Sequence, residues 1–303
     1  MNVPIEKHTT STRDASPAID WLSPPTHYID VGHSQVPHRA VGQGPDVLFV
    51  HGWPLHGATF RRLLPYLTDA FTCHLIDLPG TGFSRWDASS LISIRDHATT
   101  VQRIVAALGL KRYALVAHDS GGTVARWAAH EDDRVAGIVL GNTEIPGHHP
   151  FLLQMYLWLG ALPGGQSILP RTLSVPWLRD SPFVMGGCFR DPKAAEGTFH
   201  ELFIEPMIAS KRTTAGQLRL LSGFDWSAVD DLAGVHRRSR APVQLIWGTD
   251  DPFFPLDRAR PMMDQFAGGA ELVTIDGGKL FVHEESPAEF GGAMRPFLER
   301  CFA

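Results

Sequence analysis

The sequence has few cysteines and no long run of basic residues. Its 303 residues include only 3 cysteines, and Cys73, Cys188 and Cys301 lie far apart without a CxxC pair. This pattern argues against a disulfide framework and a zinc site, and it favours a reducing, cytoplasmic compartment. Lys and Arg number 27 against 32 Asp and Glu, and no basic run exceeds two residues. We therefore expect no nucleic-acid partner and no metal cofactor.

Long hydrophobic runs are also lacking. The polar residues 1–25 have no apolar core of the kind that marks a secretory signal, so we expect a flexible leader there. The longest apolar stretch, Phe151 to Leu162, falls well short of the roughly 20 residues that cross a bilayer. The sequence predicts neither a membrane span nor a membrane partner.

The composition is typical of a compact globular protein, with 44% hydrophobic and 19% charged residues. Short apolar runs alternate with helical patterns, which predicts an α/β fold: a mostly parallel central sheet with helices on both faces. Helices are predicted over residues 95–110 and from Ser286-Pro287 onward. The predicted strands are Asp46–Val50, Thr72–Leu78, Tyr113–His118, Val135–Gly141, Val243–Trp247 and Glu271–Ile275.

The strand pattern is interrupted over residues 144–239, a segment rich in Trp, Leu, Phe, Pro and Gly that we call the insert. We expect the insert to form a helical lid (cap) over a core made of residues 26–143 and 240–303. An insertion after the carboxyl end of a strand covers the crevice where open α/β sheets bind ligands.

An apolar strand turns abruptly into a helix in the stretch YALVAHDSGGTVAR. A nucleophile elbow requires small residues two positions before and after the reactive side chain, because the strained turn brings them into close backbone contact. Centring the turn on Asp119 puts Ala117 and Gly121 at those positions. Centring it on Ser120 would place His118 there, a poor steric fit. Asp119 is therefore the predicted nucleophile; an ordinary turn with Asp as N-cap is the structural alternative.

The elbow and three further motifs resemble the α/β-hydrolase fold family. The resemblance covers about residues 40–302 and is to the branch with an aspartate nucleophile, which includes epoxide hydrolases and haloalkane dehalogenases. It implies the α/β-hydrolase fold with an inserted helical lid. The other motifs are His51-Gly-Trp-Pro54, Asp77-Leu-Pro-Gly-Thr-Gly-Phe-Ser84 and Trp247-Gly-Thr-Asp-Asp-Pro-Phe-Phe-Pro255.

A carboxylate nucleophile needs no activating base, because an Asp with its ordinary pKa of about 3.9 is ionised at pH 7. Attack of Asp119 on an epoxide or alkyl halide would leave an alkyl ester, which water must then hydrolyse. The resemblance implies an oxyanion hole from the backbone N–H groups of Trp53 and Ser120. It also implies that Asp251 orients the water-activating base, with Glu144 as a second candidate for that acid.

The water-activating base is where the chain departs from the family. Relatives carry G-H-F, three residues, E, one residue and P; aligning Glu285 and Pro287 puts Leu280 in the position of the His. We assign His283, three residues further on, as the candidate base. Without a base, alkylation of Asp119 would proceed and hydrolysis would stop, leaving a covalent trap.

Two histidines at the start of the insert, His148 and His149, are rival bases, and Lys279 is a weaker one. Both histidines are also predicted to line the substrate pocket.

The predicted aromatic residues of the substrate pocket are Tyr156, Trp158 and Trp177. The resemblance implies two lid tyrosines in an epoxide hydrolase, and Tyr156 is the only Tyr after residue 113. Dehalogenases of the family that this chain resembles often have a Trp directly after the nucleophile. In this sequence Ser120 occupies that position. The HGWP motif resembles the version of this loop that epoxide hydrolases carry, so epoxides are favoured.

We therefore predict a hydrolase that acts on small to medium apolar electrophiles without a cofactor. Epoxides are the favoured substrate class, ahead of alkyl halides. Two alternatives stay open. One is a non-hydrolytic relative that binds a hydrophobic ligand, and the other is an esterase or lyase that uses Ser120 or another group. For the oligomeric state, we name a homodimer as a possibility that the sequence leaves open.

Overall fold

The protein is described by a computed structural model that covers residues 19–162 and 164–303. Most of the predicted leader, residues 1–18, therefore lies outside the described residues. Within the described ranges, no helix is both long and apolar enough to cross a membrane.

Eight strands form one mostly parallel sheet. Their spatial order is β1-β2-β4-β3-β5-β6-β7-β8, in which β1 and β2 pair antiparallel and the strands from β3 to β8 pair in parallel. The strands are β1 His27–Asp30, β2 Gln35–Gly42, β3 Asp46–Val50, β4 Thr72–Ile76, β5 Tyr113–Ala117, β6 Val135–Gly141, β7 Val243–Gly248 and β8 Ala270–Ile275. All six predicted strands are confirmed, with ends shifted by a residue or two.

The two strands that the sequence did not predict form the antiparallel side of the sheet. The short β1 has only four residues, and β2 carries Pro37, His38 and Arg39 in place of an apolar run. Antiparallel strands at a sheet margin bury only part of their side chains, so they lack the continuous hydrophobic signal of the central parallel strands.

Helices cover both faces of the sheet, as predicted. The core helices are α1 Ile94–Ala107, α2 Ser120–Ala129, α10 Leu256–Ala259, α11 Val282–Glu285 and α12 Pro287–Phe302. Alternate residues of β5 serve the two faces: Leu115 belongs to the buried cluster that contains Val101 of α1 and Val124 of α2. Its neighbour Val116 belongs to the cluster that contains Phe290 of α12. The fully buried, apolar β5 follows from this double cover.

The helix ends show which local signals were correct. The first helix begins with a capping box, in which Ser93 accepts from the Asp96 N–H and the Asp96 side chain accepts from the Ser93 N–H. It is followed by Gly109 with φ +66°. The last helix starts at Pro287 as predicted, but Ser286 makes no side-chain capping bond. Ser286 instead ends the preceding turn α11, where its backbone N–H donates to the Val282 carbonyl.

The insert is built from short helices, and its described residues contain no strand. It consists of α3 Phe151–Ala161, α4 Gly165–Ser174, α5 Pro176–Arg179, a π-helical turn His200–Ile204, α6 Glu205–Ala209, α7 Lys211–Ser222, α8 Trp226–Asp230 and α9 Leu232–Arg238. Side chains of α3 and α7 face the carboxyl ends of β3 and β5 across a cavity. The division of the chain into core and lid at residues 144 and 239 stays a prediction.

Candidate active site

Asp119 lies at a strained turn between β5 and α2. Its φ of +51° and ψ of −142° make it the one non-glycine residue with positive φ in the described part of the chain. The strain, worth about 1–3 kcal/mol, is held by backbone bonds. The Asp119 N–H donates to the Asn142 carbonyl at 2.7 Å, and the Asp119 carbonyl accepts from the Gly122 N–H at 2.8 Å. The turn has the geometry expected of a nucleophile elbow.

Two glycines allow the backbone to close around this turn. A Cβ on Gly121 would lie 2.3 Å from the His51 carbonyl oxygen, and one on Gly52 would lie 2.4 Å from Asp119 Oδ2. Neither contact leaves room for a side chain. The small residue expected two positions after the nucleophile is present for this reason.

We expect Gly121→Ala to destabilise the fold by about 1–3 kcal/mol, because the new methyl group meets backbone atoms that cannot rotate away. Chemical denaturation of the variant and wild type measures the difference in the free energy of unfolding. Gly292→Ala is the matched control: its Cβ meets nothing within 4 Å inside α12. That control should be neutral or stabilising. Equal effects of the two substitutions would contradict the close packing of the elbow.

The Asp119 carboxylate occupies the predicted oxyanion hole. The Trp53 N–H donates to Asp119 Oδ2 at 2.8 Å, and the backbone N–H of Ser120 also acts on the carboxylate. The Ser120 hydroxyl lies 3.1 Å from the Trp53 nitrogen and 3.4 Å from Asp119 Oδ2. The structure therefore brings together three residues that the sequence predicted to act as a unit.

A cavity opens beside this carboxylate, and we call it the Asp119 cavity. Its non-atom space is about 600 Å³ when open solvent at the mouth is counted, but only about 60 Å³ of it admits the centre of a water molecule. Its walls are mainly apolar, and its polar side chains are those of His51, Thr81, His97, Asp119, Ser120 and Glu144. The insert contributes Leu153, Leu220, Leu221 and Phe224. Asp119 therefore faces a largely apolar chamber beneath the insert.

Burial changes the ionisation of Asp119. Loss of hydration raises the pKa of Asp119 well above its ordinary value, and the negative charge of Glu144 raises it further. The N–H groups of Ser120 and Trp53 oppose this rise. Asp119 therefore does not have the ordinary pKa that we expected, because that value describes a hydrated carboxyl.

Replacing Glu144 with Gln is expected to move the pH profile of Asp119 alkylation towards lower pH. Only the ionised carboxyl attacks, and removing the Glu144 charge lowers the pKa of Asp119. Intact-mass measurement of labelling by a primary alkyl bromide, over a range of pH, gives the midpoint. Glu131→Gln is the control, since Glu131 is 71% exposed and lies outside the cavity. An unchanged or raised midpoint in Glu144→Gln would contradict the coupling.

Asp251 is buried close to the elbow, tied to the end of β6. The Asn142 side chain donates to Asp251 Oδ2 at 2.6 Å, and the Phe253 N–H donates to Oδ1 at 2.7 Å. Burial raises the pKa of Asp251 to about 6. The backbone carbonyl of Asn142 also accepts from the Asp119 N–H, so Asn142 links the backbone of the elbow to the Asp251 carboxyl. Sequence reasoning missed Asn142, although a polar residue directly after a buried strand was a usable signal.

The position of the expected base is apolar. Leu280 is 5% exposed and belongs to the buried cluster that includes Cys188 and Phe281. No imidazole hydrogen-bonds to Asp251 within the described residues. The departure from the family pattern at Leu280 is therefore a real difference in chemistry at this point.

His283 does not line the Asp119 cavity. Its Nε2 lies 2.7 Å from Thr59 Oγ1, and its ring centroid lies 4.2 Å from that of His118. Complete burial lowers the pKa of His283 to about 3. The assignment of His283 as base therefore has no support from the geometry, because its side chain packs beneath the elbow and away from the cavity.

The rival bases also lie elsewhere. His148 Nε2 bonds to the Phe253 carbonyl at 2.9 Å, and the half-exposed His149 bonds to Asp230 at 2.8 Å. Neither histidine lines the Asp119 cavity, and neither does Lys279. The predicted pocket role of both histidines is corrected for the same reason.

The three aromatic residues predicted for the pocket are not in the Asp119 cavity either. Trp158 is 65% exposed and Trp177 is 74% exposed, so both face solvent. Tyr156 lines a second apolar chamber, between the insert and the loop of Trp53 and Pro54, which shares Trp53 and Leu221 with the Asp119 cavity. The Tyr156 hydroxyl donates to the Phe183 carbonyl.

Comparison with known proteins identifies the family and the fold. The model of the family described as alpha/beta hydrolase fold matches residues 45–287. Haloalkane dehalogenase 2 of Mycobacterium tuberculosis is 27% identical over 276 residues, which cover 89% of this chain and 93% of that protein. A pimeloyl-[acyl-carrier protein] methyl ester esterase of Chromobacterium violaceum is 38% identical over 110 residues, 35% of this chain and 39% of that protein.

Among solved structures, epoxide hydrolase CorEH without ligand superposes with a TM-score of 0.75. It is 19% identical, and the superposition covers 90% of this chain and 98% of that one. At this identity the likeness concerns the fold.

Proposed function

Because the chain belongs to the alpha/beta hydrolase fold family, we propose that it acts on a small to medium apolar electrophile through an alkyl ester on Asp119. Epoxides are the preferred class and alkyl halides the second. The observation that carries the proposal is the Asp119 carboxylate itself, which sits on the strained elbow and faces a largely apolar cavity.

The first step is a displacement at carbon. An Asp119 oxygen forms a bond to the electrophilic carbon, and the bond from that carbon to the leaving atom breaks. A halide departs as an anion, whereas an epoxide oxygen remains on the product and takes up one proton. In the second step water adds to Asp119 Cγ, and the oxyanion is stabilised by the N–H groups of Trp53 and Ser120.

The preference for epoxides rests on the surroundings of the leaving group. A departing halide needs N–H donors that are free to bind it. The Trp53 indole N–H is not free, because it donates to the Gln217 carbonyl at 3.2 Å. The residue after Asp119 is Ser120, whose side chain has no N–H group.

An esterase that uses Ser120 has less support. A serine hydroxyl requires an adjacent base before it attacks a carbonyl carbon. The Ser120 hydroxyl has the Trp53 N–H and Asp119 as neighbours, and no imidazole contacts it in the described structure.

Intact-mass spectrometry after incubation with panels of epoxides and alkyl halides tests the proposal. An adduct whose mass equals that of the whole epoxide, or of the halide's alkyl group, is the expected result. Absence of any adduct and of any turnover with both panels would favour the alternative of a non-hydrolytic binding protein, for which Leu280 at the base position is the supporting observation.

A further inference from the structure

A second carboxyl faces the Asp119 cavity. Glu144 follows β6 directly after Asn142 and Thr143, and its side chain lines the cavity although the residue is 1% exposed. An acidic side chain in a largely apolar cavity is costly unless it is held by partners. Its position next to the nucleophile therefore calls for a chemical account.

The two oxygens of the Glu144 carboxyl have different surroundings. Oε2 accepts from Thr123 Oγ1 at 2.8 Å and lies 3.0 Å from Thr143 Oγ1. The buried Arg126 guanidinium supports this arrangement, donating to the Glu144 carbonyl and to Thr143 Oγ1 at 2.9 Å each. No described residue hydrogen-bonds to Oε1. One oxygen is thus anchored, and the other is left for the contents of the cavity.

The histidines of the cavity are poorer acid–base groups. His51 uses both ring nitrogens, with Nδ1 3.1 Å from the Gly52 carbonyl and Nε2 accepting from the Leu78 N–H at 3.0 Å. His97 Nε2 is 3.1 Å from the Pro79 carbonyl. Burial lowers the pKa of His97 to about 3 and that of His51 to about 4. Glu144 is the remaining titratable side chain besides Asp119 among the described residues that line this cavity.

We propose that Glu144 is the acid–base partner of Asp119 and replaces the histidine that Leu280 displaces. The proposal rests on the proposed function, since it assigns the proton transfers of that reaction. The reacting form of the pair has Asp119 ionised and one proton on Glu144 Oε1, the oxygen that no described residue occupies. That proton is the one that the opening of an epoxide requires.

The proton count closes over one turnover. While Asp119 attacks carbon, Glu144 Oε1–H gives its proton to the epoxide oxygen, which forms the product hydroxyl and leaves Glu144 ionised. Glu144 then takes a proton from the water that adds to Asp119 Cγ. Collapse of the tetrahedral oxyanion breaks the ester C–O bond, and the departing alkoxide takes the proton of the new Asp119 carboxyl. Asp119 ends ionised and Glu144 protonated, as at the start, and epoxide plus water has become diol.

Single-turnover kinetics of Glu144→Gln test this role. Gln has nearly the same shape but gives no proton transfer. We expect epoxide labelling to slow by about 10²–10⁴-fold and the ester, once formed, to hydrolyse more slowly by a similar factor. Labelling by a primary alkyl bromide should be retained at neutral pH, because a halide leaves without a proton. Glu131→Gln serves as the charge-removal control.

Two results would overturn the proposal. One is an ester that decays in Glu144→Gln at the wild-type rate, which would leave the Asp119 ester in place but remove Glu144 from its hydrolysis. The other is a loss of bromide labelling as large as the loss of epoxide labelling, which indicates a structural role. Glu144→Asp, which keeps a shorter carboxyl, is the second variant and should show partial loss of both proton-dependent steps with normal bromide labelling. If wild-type protein forms no adduct at all, the proposed function itself fails.

Discussion

Asp119→Ala abolishes covalent labelling by both epoxides and alkyl halides in our account, so its intact mass is expected to remain that of the free protein. In the proposed reaction Asp119 provides the oxygen that bonds to carbon, and no other carboxylate in the described structure combines the elbow with the N–H group of Trp53. Alanine is preferred to asparagine for this experiment because an amide can hydrolyse back to aspartate. The expected effect is a complete loss, larger than for any other substitution considered.

The same position should show a gain in stability. Because the folded-state pKa of Asp119 is raised above its unfolded value, the carboxyl favours folding while it is protonated and costs stability as pH rises through that interval. Asp119→Asn removes this cost and should raise the Tm at neutral pH. Asp231→Asn, whose side chain is 61% exposed, is the control and should change neither labelling nor Tm. Labelling of Asp119→Ala at the wild-type rate would contradict the assignment.

Leu280→His is expected to accelerate hydrolysis of the Asp119 ester by about 10²–10⁴-fold, the usual contribution of a positioned general base. Leu280 occupies the position where the family pattern has histidine. Its loop packs through Gly278 against Gly248, at the start of the segment that leads into Asp251. Burial raises the pKa of Asp251, and a more basic carboxylate accepts a hydrogen bond from an imidazole N–H more strongly. Decay of a preformed adduct, followed by mass spectrometry, gives the rate.

Two variants separate a catalytic gain from a change of cavity shape. Leu280→Gln introduces a polar side chain of similar length without a titratable group, so it should not accelerate hydrolysis. Asp251→Asn in the Leu280→His background should remove most of the gain, because the imidazole loses the group that orients it. A gain of the same size in Leu280→Gln, or none in Leu280→His, would contradict the view that the missing base limits turnover.

The elbow and the central sheet could be predicted because their signals are local. The residues around Asp119 carry their own steric pattern, and a strand such as β5, covered on both faces, must be apolar at every position. β2 was missed because its position beside the short β1 lets it keep Pro37 and His38. Which strands pair with each other decides this position, and the composition of neither strand reveals it.

The predictions of the base and of the pocket residues failed because they depend on where side chains point, which local sequence does not encode. His283 stands three residues from Leu280, but at the start of α11 its side chain turns towards Thr59. Trp158 and Trp177 are large and apolar, yet the packing among the insert's helices leaves both exposed. Glu144 was recognised only as a substitute for Asp251, because its place in the cavity follows from how β6 lies beside β5.

The most direct test of the covalent account is a single turnover of an epoxide in heavy-oxygen water, followed by peptide mapping of the protein. Water that attacks the ester adds to Cγ, so we expect the heavy oxygen in the carboxyl group of Asp119 after the first turnover. Heavy oxygen confined to the diol, with none in the peptide that contains Asp119, would show that water attacks the substrate directly and would contradict the ester.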